Sequence, residues 1–230
     1  MNNKIDKFTK KINIDVKNKK IIEQVFVHKS YLNENPNFKI GHNERLEFLG
    51  DAVLELIVTE YLYKNFQKPE GELTNWRSAL VKGAMISKVA RKLGMEEMLY
   101  LSRGEQKSTG RARELILANT FEALIGAIYL DAGYQKAQEF VNKYLLCEVP
   151  EILKKQLYVD PKTKFQELMQ SERNITPEYK VLDESGPDHS KKFSVGVYVN
   201  GELFGKGEGP SKQTAEVSAA TRALNKYTNK

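Results

Sequence analysis

The sequence predicts an all-α domain followed by a small α+β domain with the element order α-β-β-β-α. Apolar residues follow a mostly helical period from the N-terminus to about Leu157. Residues 193–199 alternate as a strand and meet Asn200-Gly201, a strong signal for a β-hairpin. The pattern of apolar residues changes at Asp160-Pro161. We therefore expect a helical domain over residues 1–157 and a second domain over residues 160–230.

Six helical segments account for the first domain. The apolar spacing predicts two short helices near the N-terminus, then one long helix and three further segments. Glycines at 71, 94, 104, 110 and 133 are expected between helices. The predicted segments are those around Phe8–Ile12 and Ile21–Phe26, then Leu46–Phe66, Leu73–Leu93, Glu114–Leu130 and Tyr134–Leu146.

The second domain begins with a helix over Lys162–Ser171. Strands are expected at Tyr179–Leu182, Phe193–Val199 and Leu203–Lys206. Ser211 is a plausible N-cap for a final helix that runs to about Leu224, because its hydroxyl can accept a free backbone N–H of the first turn.

Composition favours a cytoplasmic protein without a membrane partner. The longest apolar stretch, Leu115–Leu130, is interrupted by polar residues and is expected to be too short to span a bilayer. No apolar signal core follows the Lys-rich start. The single Cys147 excludes an intramolecular disulfide and a zinc-binding cysteine set, and is expected to be buried. The net charge of +6 permits a polyanionic partner, but it resides largely in the first 20 residues, which hold seven Lys and two Asp.

The run from Asn43 to Asp51 carries the strongest chemical signal. Glu47 and Asp51 stand four residues apart in an apolar segment, so both carboxylates fall on one helix face. A second apolar segment holds Glu122 with Asn119 one turn earlier. If these helices cross, four oxygen-bearing side chains meet, and such sites suit Mg²⁺ or Mn²⁺. The alternative is that the acids face solvent or meet a distant Arg in a salt bridge.

These residues resemble the ribonuclease III family. The run 43–51 is similar to its signature, Leu117–Asp131 is similar to its second acidic helix, and His28-Lys29-Ser30-Tyr31 and residues 104–108 also match. The resemblance covers essentially the whole chain. It implies a bacterial, homodimeric endoribonuclease that cuts double-stranded RNA with divalent metal in ribosomal and messenger RNA processing. The implied products carry 5′-phosphate and 3′-hydroxyl ends.

The resemblance also implies roles for individual residues. The family's metal ligands fall on Glu47, Asp51, position 119 and Glu122. Further acids of the cleavage valley fall on Glu44 and Glu70. Phe48 matches a residue that packs into the partner subunit, although an apolar residue here also suits an ordinary core.

Position 119 departs from the family, which has Asp where this chain has Asn. The amide offers a carbonyl oxygen without negative charge, and its nitrogen can only donate hydrogen bonds. We therefore expect weak metal binding and slow turnover while the fold persists. The alternative is a double-stranded RNA-binding protein without useful cleavage.

The second domain resembles the double-stranded RNA-binding domain, which reads A-form shape through minor-groove hydroxyls and phosphates. The implied contacts are a helix face, a loop and a helix N-terminus, made by Gln166 and Gln170, by His189, and by Ser211 and Lys212. The family usually has a second basic residue at Gln213, and many modules have a third at Glu216. Lys107, Arg111 and Arg113 form a basic loop that either contacts phosphate or is simply solvated. His28 is expected to serve in helix packing or as a hydrogen-bonded support and not as a base.

Overall fold

The computed structural model describes residues 2–154, 156, 158–187 and 191–228. The chain divides into two compact units, Met1–Tyr158 and Val159–Lys230. The first is helical, and the second combines a three-stranded sheet with two helices. The fold class predicted from the sequence is therefore confirmed. Each unit is described separately below.

The first unit holds ten α-helices within its described residues, and two short 3₁₀ turns at Glu96–Met98 and Leu146–Glu148. The sequence missed three short helices, because four to six residues carry too little periodicity. The prediction of one helix over Leu73–Leu93 is wrong: it breaks at Val81-Lys82 into two. The helices are α1 Asn2–Lys11, α2 Lys19–Val25, α3 Lys29–Glu34, α4 Glu44–Asn65, α5 Glu70–Leu80, α6 Gly83–Leu93, α7 Arg103–Gln106, α8 Gly110–Ala132, α9 Tyr134–Tyr144 and α10 Val149–Lys154.

Two other expectations for this unit need correction. Gly71 and Gly104 lie inside α5 and α7, and Gly110 is the first residue of α8, so these three do not lie between helices. Cys147 is exposed and not buried, because it lies on the 3₁₀ turn between α9 and α10. The turn places its two neighbours, Leu146 and Glu148, against the fold, and leaves the thiol outside.

The core of the first unit is built around α8. Eleven of its 23 residues are buried, and α2, α4, α6 and α9 all pack against it. By length and composition alone α8 could cross a membrane, and it is longer than the apolar stretch seen in the sequence. However, 61% of the relevant window is buried inside the unit, which is typical of a central core helix. Its apolar character is explained by packing.

The second unit has the predicted element order. It consists of α11 Pro161–Arg173, β1 Glu178–Ser185, β2 Lys192–Val199, β3 Glu202–Gly209 and α12 Lys212–Thr228. The sheet is antiparallel in the order β1-β2-β3. Asp160 caps α11 by accepting the backbone N–H of Lys162 at 2.9 Å, with Pro161 in the first turn. Asn200 and Gly201 have φ of 53° and 79°, which forms the predicted hairpin turn between β2 and β3.

Small residues bring α12 close to the sheet. Buried Phe165 and Met169 of α11 meet Val197 and Val199 of β2 in one apolar cluster. A side chain at Gly207 in β3 would overlap the backbone of α12 at Ala219. The alanine-rich face of α12 therefore rests directly on β3, and this fixes where the N-terminus of α12 lies on the unit.

Candidate active site

Two glycines set the distance between the two acidic helices. A Cβ atom on Gly50 of α4 would overlap the carbonyl oxygen of Glu122, and one on Gly126 of α8 would overlap that of Leu46. Backbone therefore meets backbone where the helices cross, as only glycine allows. The sequence analysis missed both residues. The available signal was a glycine inside each apolar helix, next to the acids in α4 and one turn after Glu122 in α8.

The crossing brings the predicted ligands together. They line one pocket of about 500 Å³, which we call the acidic pocket. Asn43 is a buried member of the pocket, and its side-chain amide donates to the carbonyl oxygen of Val25 at 3.0 Å. The residues of the acidic pocket are His28, Asn43, Glu44, Glu47, Phe48, Asp51, Asn119 and Glu122.

Glu122 is the most perturbed acid in the pocket. Burial is the main cause, and repulsion from Asp51 and Glu47 adds to it; together they raise the pKa of Glu122 to about 7. The protonated form of this carboxyl group is therefore favoured over a wider pH range than in an exposed glutamate. Either a proton or a cation would relieve the repulsion among these acids.

Glu47 and Asn119 interact across the crossing. Burial and then the neighbouring charge of Glu44 raise the pKa of Glu47, and Asp51 adds to the rise. The Asn119 amide opposes this shift by acting as a hydrogen-bond donor to the Glu47 carboxylate. An aspartate at 119 could not donate in this way when ionised. The Asn119 amide thus stabilises the Glu47 carboxylate in part, as a bound cation would do more strongly.

The donor chemistry of the pocket fits a hard divalent cation. Four carboxylates (Glu44, Glu47, Asp51 and Glu122) and the Asn119 amide line the same space, and the repulsion among the acids favours bound positive charge. Within the described residues no three His, Cys, Asp or Glu side chains form a ready-made metal cluster. A cation in this pocket would therefore complete its coordination with water and phosphate oxygens.

The two additional predicted acids lie in different places. Glu44 lines the acidic pocket and is 3.4 Å from Lys29. Glu70 lies outside it, exposed at the start of α5, where it accepts the Thr74 hydroxyl at 2.8 Å. It borders a separate groove of about 830 Å³ between α4 and α5. In one chain, therefore, Glu70 does not join the other acids.

Phe48 does not belong to the core of its own chain. Its side chain is 83% exposed although it stands in the middle of the signature run. It belongs to a stripe along α4 in which every member is exposed at helical spacing. The stripe consists of Phe48, Ala52, Leu56, Thr59 and Tyr63. An exposed apolar stripe of this length is typical of a surface that packs against another molecule.

The prediction of one basic loop is wrong: Lys107 precedes α8, whereas Arg111 and Arg113 lie in its first turn. Arg113 donates to the carbonyl oxygens of Ser108, Glu105 and Gln106 at 2.8–3.2 Å, and its side chain is only 11% exposed. It holds the loop together and is not available to phosphate. Lys107 and Arg111 are exposed.

In the second unit, Gln166 and Gln170 are both exposed on one face of α11. Gln170 donates to the Thr176 hydroxyl at 3.3 Å. Ser211 caps α12, since its hydroxyl oxygen accepts the backbone N–H of Thr214 at 3.2 Å, so the predicted N-cap is confirmed. Lys212 is exposed beside it. The predicted contact His189 lies outside the described residues.

Glu216 has a structural partner. Its carboxylate is 2.6 Å from Lys162, and this ion pair joins α12 to α11. The acid at a position where related modules often carry a base therefore fastens the two helices instead of approaching RNA.

Comparisons with known proteins agree with this architecture. Residues 18–149 match the family model for ribonuclease-III-like domains, and residues 161–227 match the double-stranded RNA binding motif. Ribonuclease 3 of Streptococcus gordonii is 45% identical over 207 residues, which cover 90% of this chain and 89% of that protein. Ribonuclease 3 of Streptococcus pneumoniae is 43% identical over 214 residues, covering 93% and 92%.

Solved structures give the same picture for the helical unit. A nuclease domain of ribonuclease III from Campylobacter jejuni, described for structural flexibility in a region involved in dimer formation, aligns with a TM-score of 0.57 and 35% identity. The alignment covers 64% of this chain and 99% of that one. A second structure of that domain aligns with a TM-score of 0.56 at 35% identity, and covers 63% of this chain and 95% of that one.

Proposed function

The chain belongs to the ribonuclease III family, and from this premise we propose that it is a metal-dependent endoribonuclease whose cleavage of double-stranded RNA is slowed by Asn119. The observation that carries the proposal is the acidic pocket, where four carboxylates and the Asn119 amide share one space at the α4–α8 crossing. The reaction is hydrolysis of phosphodiester bonds to 5′-phosphate and 3′-hydroxyl ends, in RNA processing in the cytoplasm.

Glu47, Asp51 and Glu122 would hold the cation, with the Asn119 carbonyl oxygen as an uncharged fourth ligand. Mg²⁺ is the expected ion, and Mn²⁺ a possible substitute. When bound, it supplies Lewis acidity and neutralises charge at the scissile phosphate. The family is generally metal-dependent, and the oxygen-only donor set supports the same assignment.

The chain's own residues prepare the site in two ways. The carboxylates of Glu47 and Asp51 create a negative pocket that attracts cations between protein and phosphate. Asn119 weakens this attraction, because it removes one formal charge and donates its N–H to Glu47. Turnover should therefore fall more than folding or RNA binding does.

The second unit would hold the duplex. Gln166 and Gln170 present amide groups to sugar and base edges, and the capped N-terminus of α12 presents backbone N–H groups to phosphate beside Lys212. With Glu216 paired to Lys162, Lys212 is the main cation left at this helix end.

We further propose that the nuclease unit forms a homodimer through the stripe on α4. A two-fold interface pairs a surface with itself, so Phe48 at one end of the stripe would meet the groove near Tyr63 in the second copy. The Campylobacter nuclease domain is described as having a region involved in dimer formation, which supports dimerisation of the nuclease unit, whereas the place of the interface is inferred from the stripe. It would also bring Glu70, which borders that groove, towards the second copy's acidic pocket.

One assay tests the enzymatic proposal. A long duplex RNA with Mg²⁺ is incubated with this chain and with Asn119→Asp, which restores the missing charge without changing the side-chain shape. We expect Asn119→Asp to cut at least about a hundredfold faster, the scale of losing one oriented electrostatic contact. Equal rates would show that position 119 does not limit cleavage.

Asn119 also favours a second candidate, a double-stranded RNA-binding protein that does not cleave. This candidate predicts that both proteins bind the duplex and that neither cuts it. Cleavage by the Asn119→Asp protein alone would show an intact nuclease scaffold in which this single residue suppresses activity.

A further inference from the structure

His28 is the one member of the acidic pocket with a ring nitrogen to offer a substrate. It stands at the N-terminus of α3, and its side chain caps that helix. Nδ1 lies 3.3 Å from the backbone nitrogen of Ser30, which donates to it, and 2.7 Å from the Ser30 hydroxyl oxygen. One edge of the ring is therefore occupied by the cap.

The hydrogen bonds around Ser30 fix the tautomer of the neutral ring. The Ser30 hydroxyl oxygen accepts the backbone N–H of Ser102 at 3.2 Å, so its own proton is free to point at Nδ1 of His28. Nδ1 already accepts the backbone N–H of Ser30, so in the neutral ring it carries no proton, and the Ser30 hydroxyl is placed to donate to it as well. The proton of the neutral imidazole is consequently on Nε2. Burial, the largest influence, lowers the pKa of His28 below its usual value, although Glu105 and Glu44 oppose the shift.

Nε2–H is left without a partner in the described parts of the chain, although the ring lines the acidic pocket. Most other polar groups there accept hydrogen bonds: Glu44, Glu47 and Asp51 are carboxylates. An incoming phosphodiester has only acceptors on its phosphate, so it needs donors that these acids cannot supply.

We propose that His28 is a substrate-contact residue whose Nε2–H donates to a backbone phosphate oxygen of double-stranded RNA at the edge of the acidic pocket. A neutral donor suits this position, because it offers a hydrogen bond to phosphate without an ion pair that would bind it to the neighbouring carboxylates. The cap aims the ring, and the free edge binds RNA. This inference rests on the proposed function, of which it specifies one contact.

Two substitutions separate the cap from the proposed contact. In His28→Asn the side-chain oxygen can still accept the Ser30 N–H, but the side chain is too short to replace Nε2–H. In His28→Gln the terminal NH₂ lies near the position of Nε2 and can donate, while the cap is lost. The dissociation constant of a fluorescent RNA duplex is measured with the full chain in Mg²⁺, together with the melting temperature. RNA integrity is checked on a denaturing gel, and KM from initial rates replaces the dissociation constant where the RNA is cut.

We expect His28→Asn to weaken binding about tenfold with an unchanged melting temperature, and His28→Gln to bind within about threefold of the parent while melting lower. The inference is overturned if His28→Asn binds as the parent does, or if affinity merely follows melting temperature across both variants. Failure of the proposed function looks different, because Asn119→Asp would then not cleave whatever His28 does.

Discussion

At the scale of single residues, both burial and neighbouring negative charge disfavour the ionisation of Glu122. Its pKa near 7 means that the fold prefers the protonated carboxyl, whereas the unfolded chain ionises at an ordinary pKa of 4.5. The stabilising contribution is therefore complete below about pH 4.5 and is lost as the pH rises through about 7. Without a cation to replace this proton, the fold is therefore most stable at acidic pH with respect to Glu122.

This predicts a pH-dependent stability without metal. In EDTA, the melting temperature of the parent should fall between pH 5 and pH 8, and that of Glu122→Gln should fall less and be higher at pH 8. The difference is on the order of 2 kcal/mol once partial solvent exposure is allowed for. Glu139→Gln is the matched control, because Glu139 lies exposed in an ion pair with Lys136. Parallel curves for parent and Glu122→Gln would contradict the assignment.

That these side chains lie together was predictable from the sequence, but the shift in their pKa values was not. Spacing placed Glu47 and Asp51 on one face, and the second segment supplied Glu122 and Asn119. The elevated pKa depends on burial and on distances across two helices, which no local pattern contains. Phe48 shows the same limit of local patterns. The sequence allowed either packing in the core or contact with a partner, and the exposure of Phe48 excludes the core of its own chain.

At the scale of elements, the crossing of α4 and α8 depends on Gly50 and Gly126. Helical periodicity predicted both helices, but glycine in a helix interior looks like a weakness, since it lowers helix propensity. Its role becomes visible only when the second helix is in place. Apolar periodicity therefore predicts each helix, whereas it does not identify the glycines that set the crossing point.

Gly126→Ala tests this crossing. The methyl group overlaps the Leu46 carbonyl oxygen, so the helices must separate, and we expect a loss of about 3 kcal/mol from overpacking. Gly71→Ala is the control: nothing lies within 4 Å of its Cβ position in α5, and alanine should slightly stabilise that helix. Denaturant unfolding measures both. Equal stabilities would mean that the crossing tolerates a side chain.

The N-terminus of α12 gives a second prediction at this scale. Lys212→Ala should weaken duplex binding for every sequence and reduce the slope of log K against log salt by about one unit. Lys226→Ala, in the last turn of the same helix, removes the same charge away from the capped end and should leave the slope unchanged. A gel-shift salt titration distinguishes them; equal slopes for Lys212→Ala and the parent would remove the phosphate contact.

At the scale of the whole molecule, the exposed stripe on α4 and the acidic pocket share Phe48. An exposed stripe that carries Phe48, Leu56 and Tyr63 thus lies directly beside a pocket lined by four acids, and such a surface is unfavourable for a monomer in water. A second copy would cover the stripe and would bring Glu70 into reach of acids that it does not meet in one chain. The proposed catalytic surface and the proposed dimer surface would thus share residues of α4.

Phe48→Asp should therefore convert a dimer into a monomer without unfolding it. The 83% exposure of Phe48 means that its own chain loses almost no buried area, whereas the proposed interface loses a central aromatic contact and gains a buried charge. Sedimentation equilibrium should show dimerisation weakened by about a hundredfold or more. Leu203→Asp, an exposed apolar position on β3 of the second unit, should leave the dimer intact. If the Phe48→Asp protein stays dimeric, the interface does not run through the stripe on α4. Glu70 would then have no means of approaching the acidic pocket of the second copy.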